Sequence, residues 1–282
     1  MEEIKSIKLA APAKINLTLE VLNQREDGYH NIKSIMQAIS LYDYLTISVK
    51  DAKENSIKLS GNSTQIPYDN QNLVYKAAEK FINNTNIQNK EIAIYIEKNI
   101  PIEAGLAGGS TDAAATFYGL NALFNSPLQE EDLESLCASI GSDLNFCLHG
   151  GTAVCLGRGE QTERINTTSN YVTLIKPVGY GISAKEAYKK FALSEKPTIK
   201  NFTEKMAENF DTSFLYNSLE LALLTDYKEL AQIKELLPDA LMSGSGPTFF
   251  ILERYCPIEL DNSKFLVIED LHFITDGIRI VK

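Results

Sequence analysis

The 282-residue chain has no tryptophan, and its four cysteines, Cys137, Cys147, Cys155 and Cys256, form no C-x-x-C pair. That argues against a zinc ribbon or a dithiol redox motif and reads as buried thiols in a reducing compartment. The three histidines, His30, His149 and His272, are scattered, and no H-E-x-x-H occurs. Cys147, His149 and Cys155 lie close along the chain without the spacing of a metal cage. No run of 18 apolar residues is present, so no membrane-spanning helix and no membrane partner are expected. The opening MEEIKSIKLAAPAKI alternates charged and apolar groups too quickly for a signal-peptide core, and it lacks the Arg and Ser bias of a transit peptide. A cytoplasmic protein is expected. Positive charge is scarce too: 27 Lys plus Arg stand against 37 Asp plus Glu, a net charge of −10. No basic face for nucleic acid is expected, because phosphate contacts need one. Any positive field around a phosphorylated ligand has to be local, from a few lysines and backbone N–H groups.

What is present is material for a real core. With 44% hydrophobic and 23% charged residues, the chain reads as one large domain or two medium ones. The first strand runs over residues 8–22, where Ala13, Ile15, Leu17 and Leu19 alternate with Lys14, Asn16, Thr18 and Glu20. A period of two buries one face and puts Lys14 and Asn16 together on the other. A polar loop follows at 23–30, then β-rich runs at 32–40, 44–50 and 56–60. Helical spacing covers 72–84, a strand covers 91–98, and helices are expected at about 109–124 and 129–140, the last ending at Gly141. Short strands follow at 151–156 and 160–165, then a strand at 171–176 and a helix at 183–191. Two helical stretches near 213–224 and 226–237 precede a glycine turn, the strand FFIL and a final strand HFITDGIRIV. Strands and helices mix without a regular βαβ beat, so the class is α+β. The dense charges and turns at Arg158–Glu163 set the boundary between residues 1–160 and 161–282.

The segment richest in chemical meaning is Pro101, Ile102, Glu103, Ala104, Gly105, Leu106, Ala107, Gly108, Gly109, Ser110 and Thr111. It runs from a strand through a glycine turn into a helix N-terminus. Glycines allow close backbone approach to a ligand, and a helix start offers unpaired N–H groups and a positive dipole end. No Lys follows the glycines, so this is not a P-loop, and the spacing does not fit G-x-G-x-x-G. It is either a phosphate cradle or an ordinary strand–helix connection. Lys14 is either a solvated strand lysine or a functional cation, and Asp143 after Gly141 and Ser142 is by default a turn former. Tyr29 beside His30 in DGYH is either an exposed turn aromatic or a stacking surface for a nucleobase. The turn Ser243–Thr248 has the order S-G-S-G, so it is no G-x-S-x-G nucleophile elbow.

Three segments, APAKINLTLEV, PIEAGLAGGSTDAAA and LMSGSGPTFF, taken in order and spacing resemble the three motifs of the GHMP kinases. REDGYH and GGTAVCLGRGE are similar to the branch of that superfamily whose acceptor carries a cytidine diphosphate. The resemblance implies a two-domain fold with the active site in the cleft between the domains and the ATP-binding part in residues 1–160. It implies an ATP-dependent kinase using Mg2+, with Asp143 as catalytic base and Lys14 as its cationic partner. Residues Pro101 to Thr111 become the ATP phosphate loop, with the Ser110 hydroxyl a ligand for the metal. Asn16, Tyr29, His30 and Lys98 become walls of the acceptor pocket, and Tyr188 the second aromatic against the base. A monomer or weak homodimer is expected. Other readings are a homoserine- or mevalonate-type kinase, or a catalytically silent ligand sensor on the same scaffold. Two departures from the pattern stand out. Leu144, Asn145 and Phe146 replace Val-Pro-Phe after Asp143, which predicts a less rigid loop, and Thr111 replaces a serine while keeping the hydroxyl.

Overall fold

The computed structural model describes residues 4–179, 181–194 and 197–281. Two long strands, β1 (Lys5–Gln24) and β2 (His30–Asp51), form an antiparallel hairpin that spans the molecule. The runs expected at 32–40 and 44–50 are thus one strand. Its register slips between Pro12, paired with Tyr42, and Ala13, paired with Ile39. A proline has no N–H to give the ladder, and a bulge absorbs the interruption.

The chain continues through β3 (Ser56–Gly61), α1 (Leu73–Thr85), β4 (Lys90–Glu97), α2 (Gly108–Leu123), α3 (Glu130–Ile140), α4 (Leu144–His149), β5 (Thr152–Leu156) and β6 (Gln161–Ile165). There follow β7 (Tyr171–Pro177), α5 (Ala184–Leu193), α6 (Phe202–Glu208), β8 (Tyr216–Asn217), α7 (Ser218–Leu224), α8 (Lys228–Leu236), β9 (Leu241–Met242), β10 (Phe249–Ile251), β11 (Phe265–His272) and β12 (Arg279–Val281). One sheet has the order β12-β1-β2-β4-β3, with β5 on β2, β6 on β5 and β8 on β1. The other has the order β11-β7-β10-β9. Position 160 therefore falls in the turn of the β5–β6 hairpin, and β8 and β12 return from the second half to the first sheet.

Three expectations for local structure change. The six-residue α4 and the seven-residue α6 were not visible in the pattern. The stretch 213–224 is a 3-10 turn (Thr212–Phe214), β8 and α7, because Asn217 Oδ1 accepts from Leu219 N at 2.8 Å and starts a new helix there. HFITDGIRIV is the end of β11, a bridge from Phe273 to Ile39, a turn through Gly277, and then β12.

The helix α2 buries almost its whole circumference, with Ala113, Ala114, Ala115, Phe117 and Leu120 all buried. Its Gly119 lies so close to the first sheet that a Cβ there would meet Leu9 at 2.5 Å and Ile47 at 2.7 Å. Small residues let the helix lie flat on the sheet, and its N-terminus is carried to a fixed point. On β1, Ala13, Ile15 and Leu17 pack with Val172, Leu174 and Phe250 of the second sheet. The opposite face of the same strand, holding Lys14 and Asn16, looks toward the glycine-rich loop.

Candidate active site

Alternation along β1 puts Lys14 and Asn16 side by side, and both are buried, at 4% and 2% exposure. The Lys14 Nζ donates to Asn16 Oδ1 at 2.6 Å and to the Gly105 carbonyl at 2.9 Å, and lies 3.7 Å from Asp143 Oδ2. Asn16 Nδ2 in turn donates to Ser34 Oγ at 2.8 Å. A buried ammonium needs such partners, because desolvation without them is costly. Period two alone does not reveal this burial. The cover comes from the far turn at 243–248, where a Cβ on Gly244 would sit 3.0 Å from Lys14 Nζ.

The loop from Pro101 to Ala107 is pinned from three directions. Leu106 O accepts from Lys14 N at 3.1 Å, Gly105 O from Ser243 Oγ at 3.0 Å, and Glu103 O from Ile182 N at 3.1 Å. Gly105 has φ +73°, and a Cβ on it would lie 2.1 Å from Ser243 O, so only glycine fits. Glu103 and Ala107 also hold positive φ, 48° and 60°, which is backbone strain that the surrounding bonds must sustain. Ala107 is the N-cap of α2 and supplies no side-chain cap, and the first turn has no acidic residue. The first N–H groups of α2, beginning at Gly108, Gly109 and Ser110, are therefore left for an anion, at the positive end of the helix dipole.

Asp143 immediately precedes α4, makes no side-chain cap bond, and keeps 28% of its side chain exposed. His30 and Tyr188 stack with ring centroids 5.2 Å apart and planes 20° from parallel. Burial, and then the charge of Asp143, push the Tyr188 phenol upward, which puts that ring within electrostatic reach of the carboxylate. Tyr29 points outward, 53% exposed, with the Arg158 guanidinium 5.0 Å from its ring centre.

Lys98 has partners that the sequence did not reveal. Expected in the acceptor pocket, it forms a buried ion triad with Asp43 and with Asp112, the latter at 2.8 Å. It stands against the start of α2, 3.1 Å from where a Gly108 Cβ would be. Burial alone would lower its ammonium, but Asp112 and Asp43 outweigh it and hold the charge on. Burial, reinforced by Asp43 and opposed by Lys98, pushes the Asp112 carboxyl up to about 7. Asp43 Oδ1 also accepts from Asn99 N at 2.6 Å and Ile100 N at 2.8 Å, so the triad ties together the entry and the exit of the glycine-rich loop. Asp43 and Asp112 were not singled out in the sequence; an aspartate in an otherwise alanine-rich helix was the available signal for the second.

Structure therefore brings Lys14, Asn16, Gly105 and Asp143 to one place beside an uncapped helix start, with His30 and Tyr188 on one side. A carboxylate able to take a proton, a fixed cation and a row of amide donors is equipment for transferring an anionic group to an alcohol. Residues 72–151 match the family model described as GHMP kinases N terminal domain. Among solved structures, a homoserine kinase from Cytophaga hutchinsonii superposes with a TM-score of 0.71 at 16% identity, covering 98% of this chain and 97% of that one. The superposition shows the fold of a GHMP-type small-molecule kinase, and the family model places its N-terminal part over residues 72–151.

The particular family follows from nearer relatives. A 4-diphosphocytidyl-2-C-methyl-D-erythritol kinase of Clostridium tetani is 43% identical over 86% of this chain and 90% of its own length. The enzyme of the same name from Bacillus subtilis is 43% identical over 87% of each chain. A crystal structure of a 4-(cytidine 5'-diphospho)-2C-methyl-D-erythritol kinase superposes with a TM-score of 0.70 at 29% identity, over 86% of this chain and 89% of that one. The chain belongs to the 4-diphosphocytidyl-2-C-methyl-D-erythritol kinase family.

Proposed function

We propose that this kinase phosphorylates the 2-hydroxyl of 4-diphosphocytidyl-2-C-methyl-D-erythritol with ATP, giving the 2-phosphate and ADP in the non-mevalonate route to isoprenoid precursors. The observation that carries the reading is Lys14 Nζ, held between the Gly105 carbonyl and the Asp143 carboxylate at the mouth of the glycine-rich loop. In this reading the triphosphate lies on the N–H groups at the start of α2, with residues Pro101 to Thr111 wrapped around it. Asp143 takes the proton of the acceptor hydroxyl, and Lys14 stabilises the developing alkoxide. Phosphoryl transfer asks for positioning and charge neutralisation more than covalent chemistry, which matches a preformed cradle of amides and one buried cation.

Mg2+ fits the donor set. It prefers hard oxygen ligands and takes many of them from substrate phosphates, and the Ser110 hydroxyl in the first turn of α2 would supply one more oxygen. When bound it would neutralise charge on the transferring phosphoryl group. Tyr29, His30 and Tyr188 serve the cytidine, and Asn16 lines the acceptor pocket beside Lys14. Residues 1–160 carry the ATP loop and residues 161–282 complete the acceptor walls. The net charge and unpaired cysteines support a cytoplasmic enzyme, and no helix among the described residues is long and apolar enough to cross a membrane.

The test is a coupled ADP-release assay on 4-diphosphocytidyl-2-C-methyl-D-erythritol, with and without magnesium, beside homoserine and mevalonate. ADP release that depends on the cytidine compound and on magnesium is expected. Equal or faster release with homoserine or mevalonate would transfer the protein to another kinase of the superfamily, and no release with any acceptor would make it a silent sensor.

A further inference from the structure

The loop after Asp143 was expected to be loose, because Asn145 stands where the GHMP pattern has a proline. In the structure this segment is the short helix α4, and Asn145 is buried in its first turn, 8% exposed. Its Nδ2 donates to the Glu160 carbonyl at 2.9 Å, while its Oδ1 is buried without a hydrogen-bond partner. An unpaired buried carbonyl is a standing cost, and an apolar side chain of the same size would avoid it. The amide is thus explained by what it donates to, not by what it adds to stability.

The acceptor of that bond belongs to the turn Gly157–Glu160, which is itself anchored on several sides. Ile32 N donates to Gly157 O at 2.7 Å, and Arg158 Nη2 donates to Ala138 O of α3 at 3.1 Å. Gly159, at φ +118°, faces the carboxylate, with the site of its absent Cβ 3.6 Å from Asp143 Oδ1. The Arg158 guanidinium covers Tyr29. Helix α4 has six residues, too few to hold their own geometry in isolation, and Asp143 spends no side-chain bond on capping it. Something outside the helix has to fix its first turn, and the Asn145 amide reaches the turn that Asp143 faces.

We propose that Asn145 is a positioning residue for Asp143: its amide pins the first turn of α4 to the Gly157–Glu160 turn and so sets the direction of the carboxylate. The inference rests on Asp143 acting as the base. It replaces the restraint that a proline ring would give with a hydrogen bond between two segments.

The test is steady-state kinetics and thermal unfolding of Asn145→Leu and Asn145→Pro in the full chain, with Asp143→Asn alongside. Asn145→Leu keeps the volume and removes both the donor and the orphan oxygen. It is expected to unfold at the same or a higher temperature, yet to lose about tenfold in kcat with the KM for ATP within about twofold, the scale of a slightly misplaced group. Asn145→Pro restrains the same turn, at a position whose N–H has no partner within the helix, and is expected to keep kcat within about threefold of the parent. Parent-like kcat in Asn145→Leu overturns the proposal. So does a fall in its melting temperature together with a rise in the KM for ATP, which would mark a merely structural role. An Asn145→Pro enzyme as slow as Asn145→Leu overturns it as well. If Asp143→Asn itself keeps normal turnover, the base assignment fails, and that result is separate from either outcome at 145.

Discussion

Lys14 and Asp143 approach to 3.7 Å, yet the short hydrogen bonds of the ammonium go to Asn16 Oδ1 and Gly105 O. The cation is held by neutral acceptors, so the carboxylate is near a positive charge without being tied into a short ion pair. That leaves the carboxylate oxygens open to a substrate hydroxyl, as the proposed base role requires.

Removing the proposed base is therefore the sharpest single change. Asp143→Asn should lower kcat by about 10²–10⁴-fold, the usual scale for a lost general base, with the KM for ATP nearly unchanged. Steady-state assays with ATP varied at saturating acceptor check this. Normal turnover in the variant would dismiss position 143 as the base.

Gly105 tests the loop. A side chain there must sustain φ +73° and collide with Ser243 O at 2.1 Å. Gly105→Ala should destabilise the loop by about 1–3 kcal/mol, the range for forced backbone strain, and raise the KM for ATP. Nucleotide binding followed by calorimetry reports it directly, and an unaltered affinity would mean the loop is not the phosphate grip.

The proposed cytidine site predicts a different signature. Tyr29→Ala and Tyr188→Ala should each raise the KM for the acceptor and leave that for ATP alone, since stacking contributes about 1–3 kcal/mol per base. Should the acceptor KM stay constant in both variants, the nucleobase lies elsewhere.

Asp112 predicts how stability responds to pH. Its carboxyl is raised from 3.8 to about 7 in the folded chain, mainly by burial. Between those values the folded state holds a proton that the unfolded state has released. Unfolding free energy then falls as pH rises through that window. Asp112→Asn should remove this contribution, so the slope of melting temperature against pH becomes more positive than the parent's between about pH 4 and 7. Identical slopes would show that Asp112 does not titrate there.

Much of the architecture was legible because it rests on local pattern. The alternation in residues 13–20 gave a strand with Lys14 and Asn16 together, and the glycines before the alanine-rich run placed the start of α2 within a residue or two. What could not be read depends on distant partners. Lys98 was expected to line the acceptor pocket, and its ion pairs with Asp43 and Asp112 join residues 55 and 14 positions away along the chain. Gly244 lies over the Lys14 ammonium, and Asn145 after Asp143 donates to the Glu160 carbonyl. The helix α4 has six residues, too few to display a helical period.

The grip on Glu103 by Ile182 and on Gly105 by Ser243 joins the glycine-rich loop to the part of the chain that follows β6. The loop is thus a hinge pin shared by both halves. On the proposed reading, a displacement of either half would be passed through these two bonds to the amides at the start of α2.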